Sequence, residues 1–161
     1  MVSEQNKAVV DAIKRSDLNS YKTLSDLLDM AKVIADPEGD HDLAYALKLT
    51  NFIKRKIPTL PSSIVLNQLY WQAMKFEAPH RFESFLLYME KNRSPKKRFY
   101  QPRAKTLHVV VEDLQDLEDG LIEFYGLSLP PRVGKSTVCI FFLAWCAGRH
   151  PDLHNAMGGH S

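Results

Sequence analysis

The chain of 161 residues has room for one domain, or for one domain and a small second one. Its composition is that of an ordinary soluble globular protein, and its net charge of +2 identifies no class of partner. It contains no apolar run of roughly eighteen residues, which argues against a membrane span. The N-terminus lacks the basic and then apolar layout of a signal peptide, so we expect a cytoplasmic protein.

Residues 1–92 are predicted to form a mainly helical region. Apolar residues recur there at helical spacing in several stretches, separated by turns at residues 37–40, 58–61 and 79. Such stripes are typical of the core of a helix bundle, and we expect them to pack together and not to line a cofactor site. The clearest stripe consists of Leu24, Leu27, Leu28, Ala31 and Ile34.

Residues 93–105 are predicted to form a basic linker. From Lys91 to Lys105 the sequence carries seven basic residues and no acidic one, and Phe99 and Tyr100 lie within this stretch. Basic residues interleaved with aromatic ones can bind phosphate backbones or stack on bases. A solvated linker explains the same composition equally well, and the sequence leaves both interpretations open.

Residues 106–161 are predicted to begin with a helix, since apolar residues from Leu107 to Leu117 follow the helical period and Gly120 fits the position after a helix end. Residues 122–129 alternate as a strand does, and the apolar run 138–147 predicts a second helix. A further strand is expected near Asn155. The chain therefore predicts a mostly α-helical N-terminal region followed by the start of an α/β P-loop NTPase core with an incomplete sheet.

The sequence between the predicted strand and helix, residues 129–137, is Leu-Pro-Pro-Arg-Val-Gly-Lys-Ser-Thr. A strand, a loop containing Gly-Lys-Ser and then a helix form the context of a phosphate-binding P-loop. Backbone N–H groups and the helix dipole would converge there, with Lys135 on the β- and γ-phosphates and the Ser136 hydroxyl on Mg²⁺. Leu129 stands where the usual pattern has its first glycine. The alternative is a proline-stiffened turn with an exposed lysine.

The cysteines and histidines offer no second site. Cys139 and Cys146 lie on the same face of the predicted helix but two turns apart, too far for a disulfide, so we expect two small buried hydrophobic residues. Pro151 argues against a helix that would bring His150 and His154 together, and a zinc site is not expected.

Three segments together resemble the large terminase subunit of tailed bacteriophages and prophages. They are Arg98-Phe99-Tyr100-Gln101-Pro102-Arg103, the Leu-Glu-Asp-Gly of residues 117–120, and the loop of residues 129–137. The P-loop of that family typically lacks the first glycine and carries Pro-Pro-Arg before Gly-Lys-Ser. The resemblance covers about residues 76–161.

The resemblance implies a DNA-packaging motor that binds ATP and Mg²⁺ and moves double-stranded viral DNA within a bacterial host cell. It implies a small terminase subunit and a portal as protein partners. Tyr100 and Gln101 match the family's adenine-recognising motif. The Walker B and nuclease carboxylates of the family lie beyond Ser161, so we expect no ATPase activity from this chain alone. The phosphate-loop residues that the resemblance implies are Arg132, Val133, Gly134, Lys135, Ser136 and Thr137.

Two other interpretations stay open at this point. In one, the chain is a non-catalytic helical module that contacts a protein or DNA and carries a remnant P-loop. In the other, it is a fragment of a different P-loop NTPase, such as a helicase-like or recombination ATPase.

Overall fold

A computed structural model describes residues 1–153, and all the regular secondary structure in this range is helical. The helices form two compact units, Met1–Glu77 and Ala78–Ser161. Short 3₁₀ turns lie at Ile57–Thr59, Pro95–Lys97 and Gln101–Arg103. The α-helices are α1 (Glu4–Lys14), α2 (Tyr21–Ala35), α3 (Leu43–Lys56), α4 (Ile64–Glu77), α5 (Phe82–Glu90), α6 (Ala104–Glu118) and α7 (Lys135–Arg149).

Unit 1 is a four-helix arrangement in which α2 packs against α1, α3 and α4. The predicted apolar stripe of α2 is fully buried and forms the centre of this core, so the helical prediction for this region is confirmed. Helix α3 begins where Asp42 accepts a hydrogen bond from the backbone N–H of Tyr45 at 2.9 Å, which satisfies one of the unpaired donors of the first turn.

One charged group is buried within unit 1. The Glu77 side chain, at the end of α4, has no solvent exposure, and Lys54 of α3 forms an ion pair with it. The Thr50 hydroxyl donates a second hydrogen bond to the same carboxylate at 2.6 Å. A buried carboxylate is tolerated only when it is paired and hydrogen-bonded, so these contacts fix α3 and α4 against each other.

Unit 2 packs α5, α6 and α7 around an aromatic core. The ring of Phe82 lies 5.3 Å from those of Phe142 and Trp145, measured between centroids. The Trp145 indole N–H donates to the backbone carbonyl of Ala78 at 2.8 Å, which satisfies its polar atom in the buried environment. These contacts anchor the C-terminal half of α7, whose N-terminus carries the Gly-Lys-Ser sequence.

The predicted α/β core is wrong for residues 1–153, because this range contains no strand and no sheet. Residues 122–129 are not paired with any strand. Tyr125, Leu127 and Leu129 pack against the core of unit 2, while the residues between them are exposed. The alternation of apolar and exposed residues thus arises because alternate side chains of residues 125–129 pack against the helices of unit 2. A strand would also need the backbone groups of a neighbouring strand, and helices use theirs internally. The strand expected near Asn155 lies outside the described residues.

Cys146 is buried, and Cys139 is half-buried; both are free thiols. Burial, with a hydrogen bond to Glu118, raises the pKa of the Cys146 thiol to about 12, so this thiol is inert at neutral pH. His154 lies outside the described residues. No cluster of three or more metal-binding side chains occurs among residues 1–153, and no helix in that range is long and apolar enough to traverse a bilayer.

Candidate functional site

The Gly-Lys-Ser loop has an unusual backbone. Arg132 has φ +67° and Gly134 has φ +108°, and both values lie in the left-handed region that favours glycine. A left-handed arginine costs on the order of 1–3 kcal/mol, and such costs are typical of loops held in place for binding. At Gly134 a second reason requires glycine, because a Cβ there would lie 2.4 Å from Cε2 of Phe99.

Helix α7 begins directly after this loop, with Gly134 as its N-cap residue. Glycine has no side chain to cap the helix, so the N–H groups of Lys135, Ser136 and Thr137 find no capping side chain there. The helix has 15 residues, and its dipole adds positive potential at this end. The side chains of Lys135 and Ser136 are exposed. Together these groups can hold an anion.

The loop and the helix start open onto a pocket of about 560 Å³. Three of its side chains, those of Arg103, Arg132 and Lys135, are cationic, and no acidic residue of the described chain lines it. The lining therefore carries a net positive charge. The lining residues are Phe99, Arg103, Leu129, Pro130, Pro131, Arg132, Gly134, Lys135, Ser136 and Thr137.

Phe99 and Arg103 also line the pocket, although neither was predicted from the sequence as a site residue. The Phe99 ring stacks on Phe141 of α7, with centroids 5.9 Å apart and an angle of 18° between the planes. The Arg103 guanidinium lies 5.5 Å from the Phe99 ring centroid, and its Nη1 donates to the Phe99 carbonyl at 3.0 Å. We call this pair of residues the aromatic wall.

A buried carboxylate holds the aromatic wall in place. Glu90, the last residue of α5, is 1% exposed. Its Oε1 accepts hydrogen bonds from the backbone N–H groups of Phe99 at 2.5 Å and of Tyr100 at 2.6 Å. Its Oε2 accepts a third from the N–H of Gln101 at 3.2 Å. The segment predicted as a linker is therefore folded onto α5 at this point.

The two residues matched to the adenine motif do not face the pocket. The Tyr100 ring is fully buried, and its hydroxyl donates to Oε1 of Glu83 at 2.7 Å. Burial, reinforced by that hydrogen bond, raises the pKa of Tyr100 well above its usual value. Gln101 is exposed, and its Oε1 accepts from Nη1 of Arg98 at 2.6 Å. Of the six assigned loop residues, only Val133 does not line the pocket, because it packs against the core.

The site fits a polyphosphate better than a bare metal ion. It offers backbone N–H groups and three cationic side chains to an anion, whereas the Ser136 hydroxyl is the only assigned ligand for Mg²⁺. Mg²⁺ commonly takes one or two protein ligands and completes its shell with phosphate oxygens and waters, so one hydroxyl is compatible with it. No protein-family model, curated protein or solved structure matches the chain.

Proposed function

We propose that the pocket binds the triphosphate of Mg·ATP. The observation that carries this proposal is the uncapped start of α7, which opens onto a pocket with three cationic side chains and no acidic residue from the described chain. The N–H groups of the first helical turn would donate to phosphate oxygens. Lys135 would contact the β- and γ-phosphates, and the Ser136 hydroxyl would bind Mg²⁺. The metal ion would neutralise charge on the phosphates.

From the resemblance of its motifs, we further propose that this site belongs to a large terminase subunit. ATP binding would then serve the packaging of double-stranded viral DNA, with a small terminase subunit and a portal as protein partners. The Pro-Pro-Arg sequence of residues 130–132 supports this proposal, because the P-loop of that family typically carries it before Gly-Lys-Ser. Its arginine, Arg132, lines the pocket.

Replacing Lys135 by alanine tests the nucleotide proposal. We expect Mg·ATP affinity to fall by about 10- to 100-fold, because a hydrogen bond to a charged group contributes about 1.5–3 kcal/mol. Isothermal titration calorimetry on the full chain measures this loss. Lys105→Ala is the matched control, since Lys105 is an exposed lysine of the same unit that does not line the pocket. Equal affinity of the Lys135 and Lys105 variants would refute the proposal.

A second candidate function is DNA binding by the basic segment Lys91–Lys105. The observation that favours it is that Glu90 orders part of this segment, while Lys96 and Lys97 stay exposed on a 3₁₀ turn. Cations on an ordered segment can contact a phosphate backbone without first losing the conformational entropy of a flexible linker.

Salt dependence tests this second function. We expect the logarithm of the affinity for double-stranded DNA to fall linearly with the logarithm of the salt concentration, by about 0.9 for each phosphate contacted. The double variant Lys96→Ala/Lys97→Ala should reduce that slope by about 2. Fluorescence anisotropy with a labelled duplex measures both slopes, and Lys7→Ala/Lys22→Ala in unit 1 is the control. If the slope is the same in both double variants, the segment does not contact DNA.

A further inference from the structure

We infer that Arg103 contacts the phosphates of the bound nucleotide, in addition to Lys135. This inference rests on the proposed phosphate site and adds to it a residue from outside the Gly-Lys-Ser loop. The loop of residues 129–137 supplies most of the pocket lining, whereas Arg103 lies directly before the start of α6.

The guanidinium of Arg103 is held in position by Phe99. Its Cζ lies over the Phe99 ring, 5.5 Å from the centroid, and its Nη1 donates to the Phe99 carbonyl at 3.0 Å. Phe99 is itself fixed, because its backbone N–H donates to the buried carboxylate of Glu90 and its ring stacks on Phe141. A side chain that is already ordered loses less conformational entropy when a ligand binds to it.

This cation has no counter-charge in the part of the chain that the structure describes. None of the ion pairs within residues 1–153 involves Arg103, and no acidic residue of that range lines the pocket. The side chain is half-buried, so water solvates its charge only in part. A guanidinium has several N–H donors in a planar fork that matches the oxygens of a phosphate. One nitrogen is used by the Phe99 carbonyl, and the others are available to an anion.

The position of Phe99 places these donors near the phosphate end of the ligand. The ring approaches Gly134 so closely that a Cβ there would clash with it, and the uncapped first turn of α7 begins at Gly134. A base is commonly held by stacking on a free aromatic face. Phe99 is the only aromatic residue among the described residues that line the pocket, and it is already engaged by Phe141 and Arg103. The geometry therefore favours a phosphate over a base as the partner of Arg103.

The test replaces Arg103 by glutamine and measures the affinities for Mg·tripolyphosphate and Mg·ATP by calorimetry on the full chain. We expect both affinities to fall by the same factor of about ten, because the lost hydrogen bond to a charged group concerns phosphates that the two ligands share. The glutamine amide can still donate to the Phe99 carbonyl, and hydrogen exchange in peptides spanning residues 98–103 measures whether the segment stays folded. Arg103→Lys keeps the charge without the planar fork, and its affinities should lie between those of the wild type and the glutamine variant.

Arg93→Gln is the matched control. Arg93 makes the corresponding contact with the other ring of the stacked pair, since its Cζ lies 5.8 Å from the Phe141 centroid, but it does not line the pocket. The Arg93 side chain is exposed, so its charge is screened by solvent and salt. We expect this variant to change either affinity by less than about twofold.

Three results would overturn the inference. The first is an unchanged affinity for tripolyphosphate in Arg103→Gln. The second is a loss of Mg·ATP affinity that tripolyphosphate does not share, which would assign Arg103 to the nucleoside. The third is an equal loss in Arg93→Gln, which would show that both arginines act by supporting the ring pair. In each of these cases Lys135→Ala still weakens the binding of tripolyphosphate, so the phosphate site survives. Failure of the wild-type chain to bind either ligand would instead refute the phosphate site, and this inference with it.

Discussion

Replacing Lys54 by methionine is expected to destabilise unit 1 by about 3–5 kcal/mol. The variant keeps much of the volume of the side chain but removes the cation that is paired with Glu77, whose side chain has no solvent exposure. Removal of one partner of a buried ion pair leaves the other charge without its counter-charge, and costs of about 3–5 kcal/mol are typical. Amide hydrogen exchange, followed in peptides from α3 and α4, measures the free energy of opening of this unit.

Two further variants make this prediction specific. Lys48→Met changes an exposed lysine on the same helix and should alter the opening free energy by no more than about 0.5 kcal/mol. Lys54→Met combined with Glu77→Gln should recover much of the loss, because the neutral amide can still accept the hydrogen bond from Thr50. A loss below about 1 kcal/mol in the single variant would show that water reaches Glu77 and that the pair contributes little.

Replacing Glu90 by alanine is expected to destabilise unit 2 by about 2–4 kcal/mol, and also to weaken the binding of Mg·ATP. Three backbone N–H groups lose their acceptor, and that of Tyr100 is buried. Each buried donor left without a partner costs about 1–3 kcal/mol. Phe99 and Arg103 lose their position, so the pocket loses one of its three cationic side chains.

Hydrogen exchange in peptides spanning residues 98–103 measures the first effect, and calorimetry with Mg·ATP measures the second. Glu90→Gln keeps one carbonyl oxygen for Phe99 and Tyr100, so its stability should fall between those of the wild type and the alanine variant. Glu123→Ala, at an exposed acid of the same unit, is the control and should have little effect. If Glu90→Ala binds nucleotides as the wild type does, the carboxylate has no role in positioning the wall.

The helices could be predicted from the sequence because their apolar periodicity is a local property. The stripe on α2 is buried as predicted, and the helix containing Leu107 ends before Gly120, which has φ +71°. Whether residues 122–129 form a paired strand could not be predicted from such a local property. Their alternation is present in the structure, but alternation indicates only that one side of an extended segment is covered. Whether another strand pairs with it depends on distant residues.

The pocket residues likewise fall into a group that a local motif identifies and a group that depends on contacts between distant residues. The loop from Arg132 to Thr137 could be found from its motif, since consecutive residues place its N–H groups together. The wall could not, because it depends on Glu90 accepting hydrogen bonds from residues 9 to 11 positions later. The sequence did contain one indication that Glu90 has a special role. An acid at the last position of a helix is unfavourable for the helix dipole, and Glu90 occupies that position on α5.

The contact between Phe99 and Gly134 links two positions that lie far apart in the chain, and it constrains how each can vary during evolution. A smaller residue at position 99 would relieve the steric clash with a side chain at position 134, but it would leave the left-handed backbone of Gly134 unchanged. Glycine at position 134 is thus fixed for two independent reasons. Smaller side chains at position 99 create no clash with the loop, whereas a bulkier one would push against the start of α7. Position 99 should therefore tolerate more amino-acid substitutions than position 134.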